Sequence, residues 1–336
     1  MQRRSPDQRH SRRTTHFLMT GIIFFVKGVG LLLLVTWLFL LSPAHTATLT
    51  LLDKWTECYM IHPPYEPSKT LYDPGVTSEI DILAIHGLDS NSSSAWEYRV
   101  NGNSISWLGD ILPKERGLEH IRVTMLNHQT RSDSHVPDVV FEAHAQQLLN
   151  EIERVNQGKR PIIFIAHGFG GLLLKQALVL DSRQSKQVME KTKGIFFLGV
   201  PHYGTKVPLV AELLSCIACW RGSSMALLQY TLEGNPALIN LEYDFYNAYI
   251  YCGQTRAVGV PYIVNFLEMT LGRNKLLSLG VPTVDTKSGE LLYAKNEYLD
   301  ADHRGLNKFR SRIDPNFQIF LSHFRCAIDY TEACRN

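Results

Sequence analysis

Short apolar runs alternate with stretches of helical periodicity over most of this chain. From residue 79 onward, runs rich in β-branched, aliphatic and aromatic residues occupy 80–85 (IDILAI), 121–126, 162–166, 195–200 (IFFLGV) and 262–267 (YIVNFL). Apolar runs this short, bounded by turn residues, read as strands buried on both faces. Helices are expected near 139–155, 170–181, 207–230 and 315–330. The last of these has Asp314 as its cap, Pro315 at the first helical position and one apolar stripe, Phe317, Phe320, Leu321, Phe324 and Ile328, read as core packing. Strands that alternate with helices predict a mostly parallel sheet covered on both faces.

One apolar run is of another kind. Residues 17–41 are almost wholly apolar, interrupted by Lys27 alone, and are long enough to span a bilayer. Arg3, Arg4, Arg9, Arg12 and Arg13 precede them against a single acid, Asp7. That pattern predicts a basic tail at 1–16, an uncleaved transmembrane helix or signal anchor at 17–41, and a folded domain across the membrane from a cytoplasmic tail. The run exceeds the apolar core of about 7–15 residues in a signal peptide, although residues 42–47 are small enough for a cleavage region. A single-pass protein of the endomembrane system is expected; the Arg-rich, acid-poor start also fits a mitochondrial presequence. Pro63, Pro64, Pro67, Pro74 and Gly75 make residues 42–78 a linker and lead-in, so the domain is expected at 79–336; its apolar and aromatic stretch at 205–260 sits where a cap over the site would lie, with ordinary burial the favoured reading.

Composition narrows the function. The 336 residues are 45% hydrophobic and 20% charged, enough for one large domain. Net charge is +2, and no stretch combines dense Lys/Arg with stacking aromatics, so nucleic acid is not expected as a partner. Six cysteines are too few and scattered for a disulfide scaffold; Cys216 and Cys219 read as core thiols one helical turn apart rather than as metal ligands. No metal or organic cofactor is implied. Asn91-Ser92-Ser93 is a glycosylation sequon.

Candidate chemistry centres on residues 162–178, IIFIAHGFGGLLLKQAL, where an apolar strand runs into His167-Gly168-Phe169-Gly170-Gly171 and then at once into a helical pattern. This is the layout of a strand-to-helix elbow that carries a nucleophile, yet its central residue is Gly168. Acyl transfer on such an elbow needs an acid after a later strand, a histidine after the last strand and backbone donors for an oxyanion, in that chain order. Glu268 ends the strand at 262–267, and Asp302-His303 follows the last strand. His86-Gly87-Leu88 ends the strand at 80–85, so the backbone N–H of Leu88 and that of Phe169 are the candidate oxyanion donors.

Several stretches share one family's wording: Asp81-Ile82-Leu83-Ala84-Ile85-His86-Gly87-Leu88, Arg160-Pro161-Ile162-Ile163-Phe164-Ile165-Ala166-His167, Lys193-Gly194-Ile195-Phe196-Phe197-Leu198-Gly199-Val200-Pro201-His202 and Asp302-His303. Over about residues 79–330 the chain resembles the fungal branch of the serine-active-site-containing esterases, lipase-like α/β-hydrolases related to GPI inositol-deacylases. The resemblance implies an α/β-hydrolase fold, with Glu268 as acid and His303 as base. The family's elbow reads Gly/Ala-His-Ser-x-Gly-Gly, so its nucleophile serine falls on Gly168. The expectation is a membrane-anchored, esterase- or lipase-like protein that meets a hydrophobic ester or lipid but has impaired acyl-enzyme catalysis; the sequence does not identify a protein partner. The alternatives are a non-catalytic binding or scaffold protein, or an enzyme that uses His303 and Glu268 as a general base on a small hydrophobic metabolite.

Overall fold

A computed structural model describes residues 67–87, 95–128, 137–205, 230–231, 233–252, 259–269, 284 and 286–329. The apolar run at 17–41, the oxyanion candidate Leu88, the sequon at Asn91, the Cys216/Cys219 pair and all but the last residue of the helix expected at 207–230 lie outside these residues. Among the described residues, no helix is long and apolar enough to cross a membrane.

The elements follow in the order β1 (Lys69–Tyr72), β2 (Ile80–Ile85), β3 (Glu97–Val100), β4 (Asn103–Ser106), β5 (Ile121–Leu126), α1 (Pro137–Asn156), β6 (Ile162–His167), α2 (Phe169–Arg183), α3 (Gln187–Lys191), β7 (Thr192–Leu198), α4 (Pro236–Phe245), β8 (Tyr262–Glu268), α5 (Thr286–Gly289), β9 (Lys295–Leu299) and α6 (Pro315–Asp329). Seven strands form one sheet in the order β1-β5-β2-β6-β7-β8-β9, parallel except for β1, which runs antiparallel to β5. This is the α/β-hydrolase arrangement.

Alternation along each strand divides the core. Leu83, Ile85, Phe164 and Ala166 face α1, α2 and α4, with Phe141, Leu173 and Phe245 among their neighbours. Ile82, Ala84, Ile163 and Ile165 face α6, whose Phe317, Phe320 and Phe324 pack with Trp107 and Phe309. The stripe read from the sequence of α6 is therefore core packing. A sheet with both faces covered explains why its strands read as continuous apolar runs rather than alternating ones.

Chain order also marks a candidate ligand crevice. From β2 the chain moves to β5 on one side and then to β6 on the other, so the direction of winding reverses beside β2. In open α/β sheets the crevice outside the carboxyl ends of strands at such a reversal is the binding site. At the opposite end of β2, buried Asp81 accepts two hydrogen bonds from Arg122, each 2.8 Å, which locks the sheet away from that crevice.

Three features differ from the sequence reading. Strand β1 lies within the stretch read as lead-in, and β9 (KNEYL) has too little apolar character to read as a strand. The strand expected at 195–200 is β7, which begins at Thr192 and ends at Leu198 because Gly199 turns the backbone to φ 58°. Within 205–260, where the sequence favours burial over a cap, α4 places Leu238, Leu241 and Phe245 in the main core.

Candidate active site

The elbow forms where sequence predicts it. Gly168 joins β6 to α2 with φ 53° and ψ −128°, a backbone conformation open mainly to glycine and found in strained functional positions. Its N–H donates to Leu198 O at 3.0 Å, and its own carbonyl accepts from Gly171 N at 3.0 Å. The next two glycines permit close packing: a side chain on Gly170 would collide with His86 O, and one on Gly171 with Val200. The start of α2 is thus pressed against the end of β2 and against Val200, just beyond β7, and the first-turn amides of a helix, Phe169's among them, are the ones free of intrahelical partners.

His303 reaches this elbow from the loop after β9. That loop is a run of turns: Asp302 Oδ1 accepts from Gly305 N at 2.8 Å, and Asn307 Nδ2 donates to Ala95 O at 2.7 Å. The imidazole lies between two glycines. Its Nε2 is 3.4 Å from where a Cβ on Gly168 would stand, and its Nδ1 is 2.9 Å from where one on Gly199 would stand. His167 anchors the loop from below, donating from Nε2 to His303 O at 2.9 Å, with the two rings 4.8 Å apart.

Glu268 ends β8 and is buried, in register with Leu299, which ends β9. One of its carboxylate oxygens accepts from Val284 N at 2.6 Å. The structure therefore brings Gly168, Phe169 and His303 together, ties Glu268 to the segment at Val284, and leaves Leu88 outside the described residues. Phe169 also contributes a buried ring, edge-on to Phe141 at 5.7 Å.

Sequence reading passed over several polar groups around the elbow. His128, at the end of β5, stacks on His86 with centroids 4.4 Å apart and 20° between planes. Burial, with His86 beside it, pushes its pKa down to about 3. Lys175, two turns into α2, is wholly buried and bonds Glu242 of α4, which also accepts from the Tyr293 hydroxyl. Burial lowers the Lys175 pKa and raises that of Tyr293. Buried His202 lies 3.3 Å from Asn265 Oδ1, and burial together with the Lys175 charge holds it well below its usual pKa. Among the described residues, no group of three or more His, Cys, Asp or Glu is placed to hold a metal ion.

The sheet order, the elbow at the winding reversal and the histidine loop define an α/β-hydrolase-fold protein with glycine at the centre of its elbow. No family model matches the chain. It is similar to the protein SERAC1 of Bos taurus, 26% identical over 217 residues that cover 58% of this chain and 31% of the relative. It is likewise 26% identical to SERAC1 of Danio rerio over 274 residues, 74% of this chain and 38% of that one. The match thus spans about a third of the length of these relatives. Among solved structures, Bacillus licheniformis lipase BlEst2 in its propeptide form aligns with a TM-score of 0.49 and 18% identity, covering 76% of this chain and 54% of that one. Phospholipase PlaB from Legionella pneumophila, in complex with thio-NAD, aligns at 0.41 and 16%, covering 58% and 38%.

Proposed function

We propose that this chain is a membrane-anchored, esterase- and lipase-like protein that receives a hydrophobic ester or lipid at the elbow but lacks ordinary acyl-enzyme turnover. One observation carries this reading: Gly168 holds the backbone of a nucleophile elbow, with His303 Nε2 3.4 Å from the Cβ position. A serine there would carry its hydroxyl one bond beyond that Cβ, within reach of a general base. Glycine offers no atom to acylate. Loss of such a serine lowers turnover by about 10⁶-fold, and oxyanion and binding contacts alone retain roughly 10³–10⁴-fold over water. In this reading His303 is the base, Glu268 the acid, and the amides of Leu88 and Phe169 receive the oxyanion.

Residues 17–41 supply the anchor, with the basic tail on the cytoplasmic side and the endomembrane system as the site. Cys326 is disulfide-bonded, which supports an oxidising compartment for the domain.

The test is hydrolysis of short and medium acyl esters by the full chain in detergent micelles, beside Gly168→Ser and His303→Ala. A silent native protein that gains ester cleavage on Gly168→Ser supports the reading. A native protein that already turns over, and stops on His303→Ala, replaces it with a second one, in which His303 activates water directly. The seating of the His303 ring against Gly199 and His167 favours that second reading over a scaffold whose histidine plays no part.

A further inference from the structure

We propose that His128 is a positioning residue for His86 and Gly87, the residues that bring the end of β2 up to the elbow, a role that rests on the reading of the elbow given above. The loop after β2 begins at His86 and Gly87, and Gly87 Cα stands 4.0 Å from where a Cβ on Gly168 would sit. The conformation of these two residues therefore sets how closely the oxyanion side of the crevice approaches the elbow.

The His86 carbonyl is the pivot. On one side it packs against Gly170, where a side chain would collide with it. On the other it accepts a hydrogen bond from His128 Nε2 at 2.8 Å. A carbonyl oxygen only accepts, so Nε2 carries the hydrogen, and the tautomer of His128 is fixed by its partner. The His86 side chain closes the loop on itself, with Nδ1 donating to Gly87 O at 2.7 Å and Nε2 3.0 Å from Asn127 Oδ1. The stacked ring of His128 holds that imidazole in place.

The remaining nitrogen of His128 indicates that this bond is the reason for an imidazole here. Nδ1 is buried and finds no hydrogen-bond partner among the described residues. An apolar ring would fill the same space without burying an unpaired polar atom, a penalty of about 1–3 kcal/mol. What the imidazole gains over such a ring is the bond to His86 O. A second proton on Nδ1 would meet no acceptor, and His86 and His144 are the titratable neighbours that further oppose a charge.

The test compares His128→Leu, which removes the donor, with His128→Gln, whose side-chain amide can replace it. Both are made in the native chain and in the Gly168→Ser chain, and two readouts are taken. Hydrogen exchange at residues 85–87 is expected to accelerate in His128→Leu and to stay near native in His128→Gln, whichever residue stands at 168. In the Gly168→Ser chain, His128→Leu is expected to lower kcat by about tenfold to a hundredfold with KM within about twofold, and His128→Gln to recover most of the loss. Unchanged exchange in His128→Leu, or a glutamine variant as impaired as the leucine one, overturns the proposal. If Gly168→Ser hydrolyses nothing, the functional reading fails by itself, and hydrogen exchange still decides the role of His128.

Discussion

His303 Nε2 stands 3.4 Å from the point at which Gly168 would place a Cβ, an ordinary van der Waals distance. There is room for a side chain beside the ring, but the backbone at φ 53° opposes one. Gly168→Ala and Gly168→Ser are therefore each expected to lower stability by about 1–3 kcal/mol. Only the serine variant gains ester hydrolysis. Urea denaturation and an ester assay on both variants check this, and equal activity in the two would remove the hydroxyl from the explanation.

Gly199 carries the other side of the ring. A Cβ there would stand 2.9 Å from His303 Nδ1 and 2.8 Å from Leu306 Cδ1, at φ 58°. In the Gly168→Ser chain, Gly199→Ala is expected to displace the imidazole and lower kcat by about a hundredfold, the scale of a 1 Å misplacement. Steady-state kinetics together with the His303 ring resonances in NMR read both effects. Full activity with an unmoved ring would show that the loop yields more easily than its contacts suggest.

The Lys175–Glu242 pair ties the elbow helix to α4 with both side chains buried. Glu242→Ala leaves the Lys175 ammonium without its counter-charge, and a loss of about 3–5 kcal/mol in unfolding free energy is expected. Lys175→Met with Glu242→Leu should come close to native stability, because removing both charges also removes their desolvation cost. Chemical denaturation of the single and double variants distinguishes the two outcomes.

Acid should destabilise the fold through its buried histidines. His128 titrates at about 3 in the folded chain against an ordinary 6.5, and burial also lowers His144 and His202. Between these values the unfolded chain binds more protons than the folded one, so stability rises with pH across the window. It is fully present above about pH 6.5 and falls as pH drops toward 3, with His128 contributing on the order of several kcal/mol. Thermal unfolding from pH 7 to pH 4 measures this, and His128→Gln should flatten the slope.

Much of the site was legible because its parts are local. Five sheet strands announced themselves as apolar runs, and the His167–Gly171 stretch read as an elbow because strand, glycines and helix are contiguous. The elements that were missed lack that signature. Strand β9 sits at the edge of the sheet, half exposed, and its residues stay polar. The β3–β4 hairpin carries its signal in the Asn101-Gly102 pair, both of which take the positive φ that a two-residue hairpin turn requires.

By itself, the sequence determined the alternation that makes a parallel sheet, the elbow at residues 162–171 and the chain order of Gly168, Glu268 and His303. These follow from hydrophobic period and turn chemistry, which act between near neighbours. Tertiary structure alone decided that the His303 ring lies between Gly168 and Gly199, that His167 holds its loop, and that His128 pins the His86 carbonyl. Those contacts join residues 42 and 136 positions apart in the two histidine pairs, and a pattern confined to a few turns of chain holds no record of them. They arise when packing of the sheet brings the carboxyl ends of its strands together, where the missing side chains of glycines leave room for rings and carbonyls to meet.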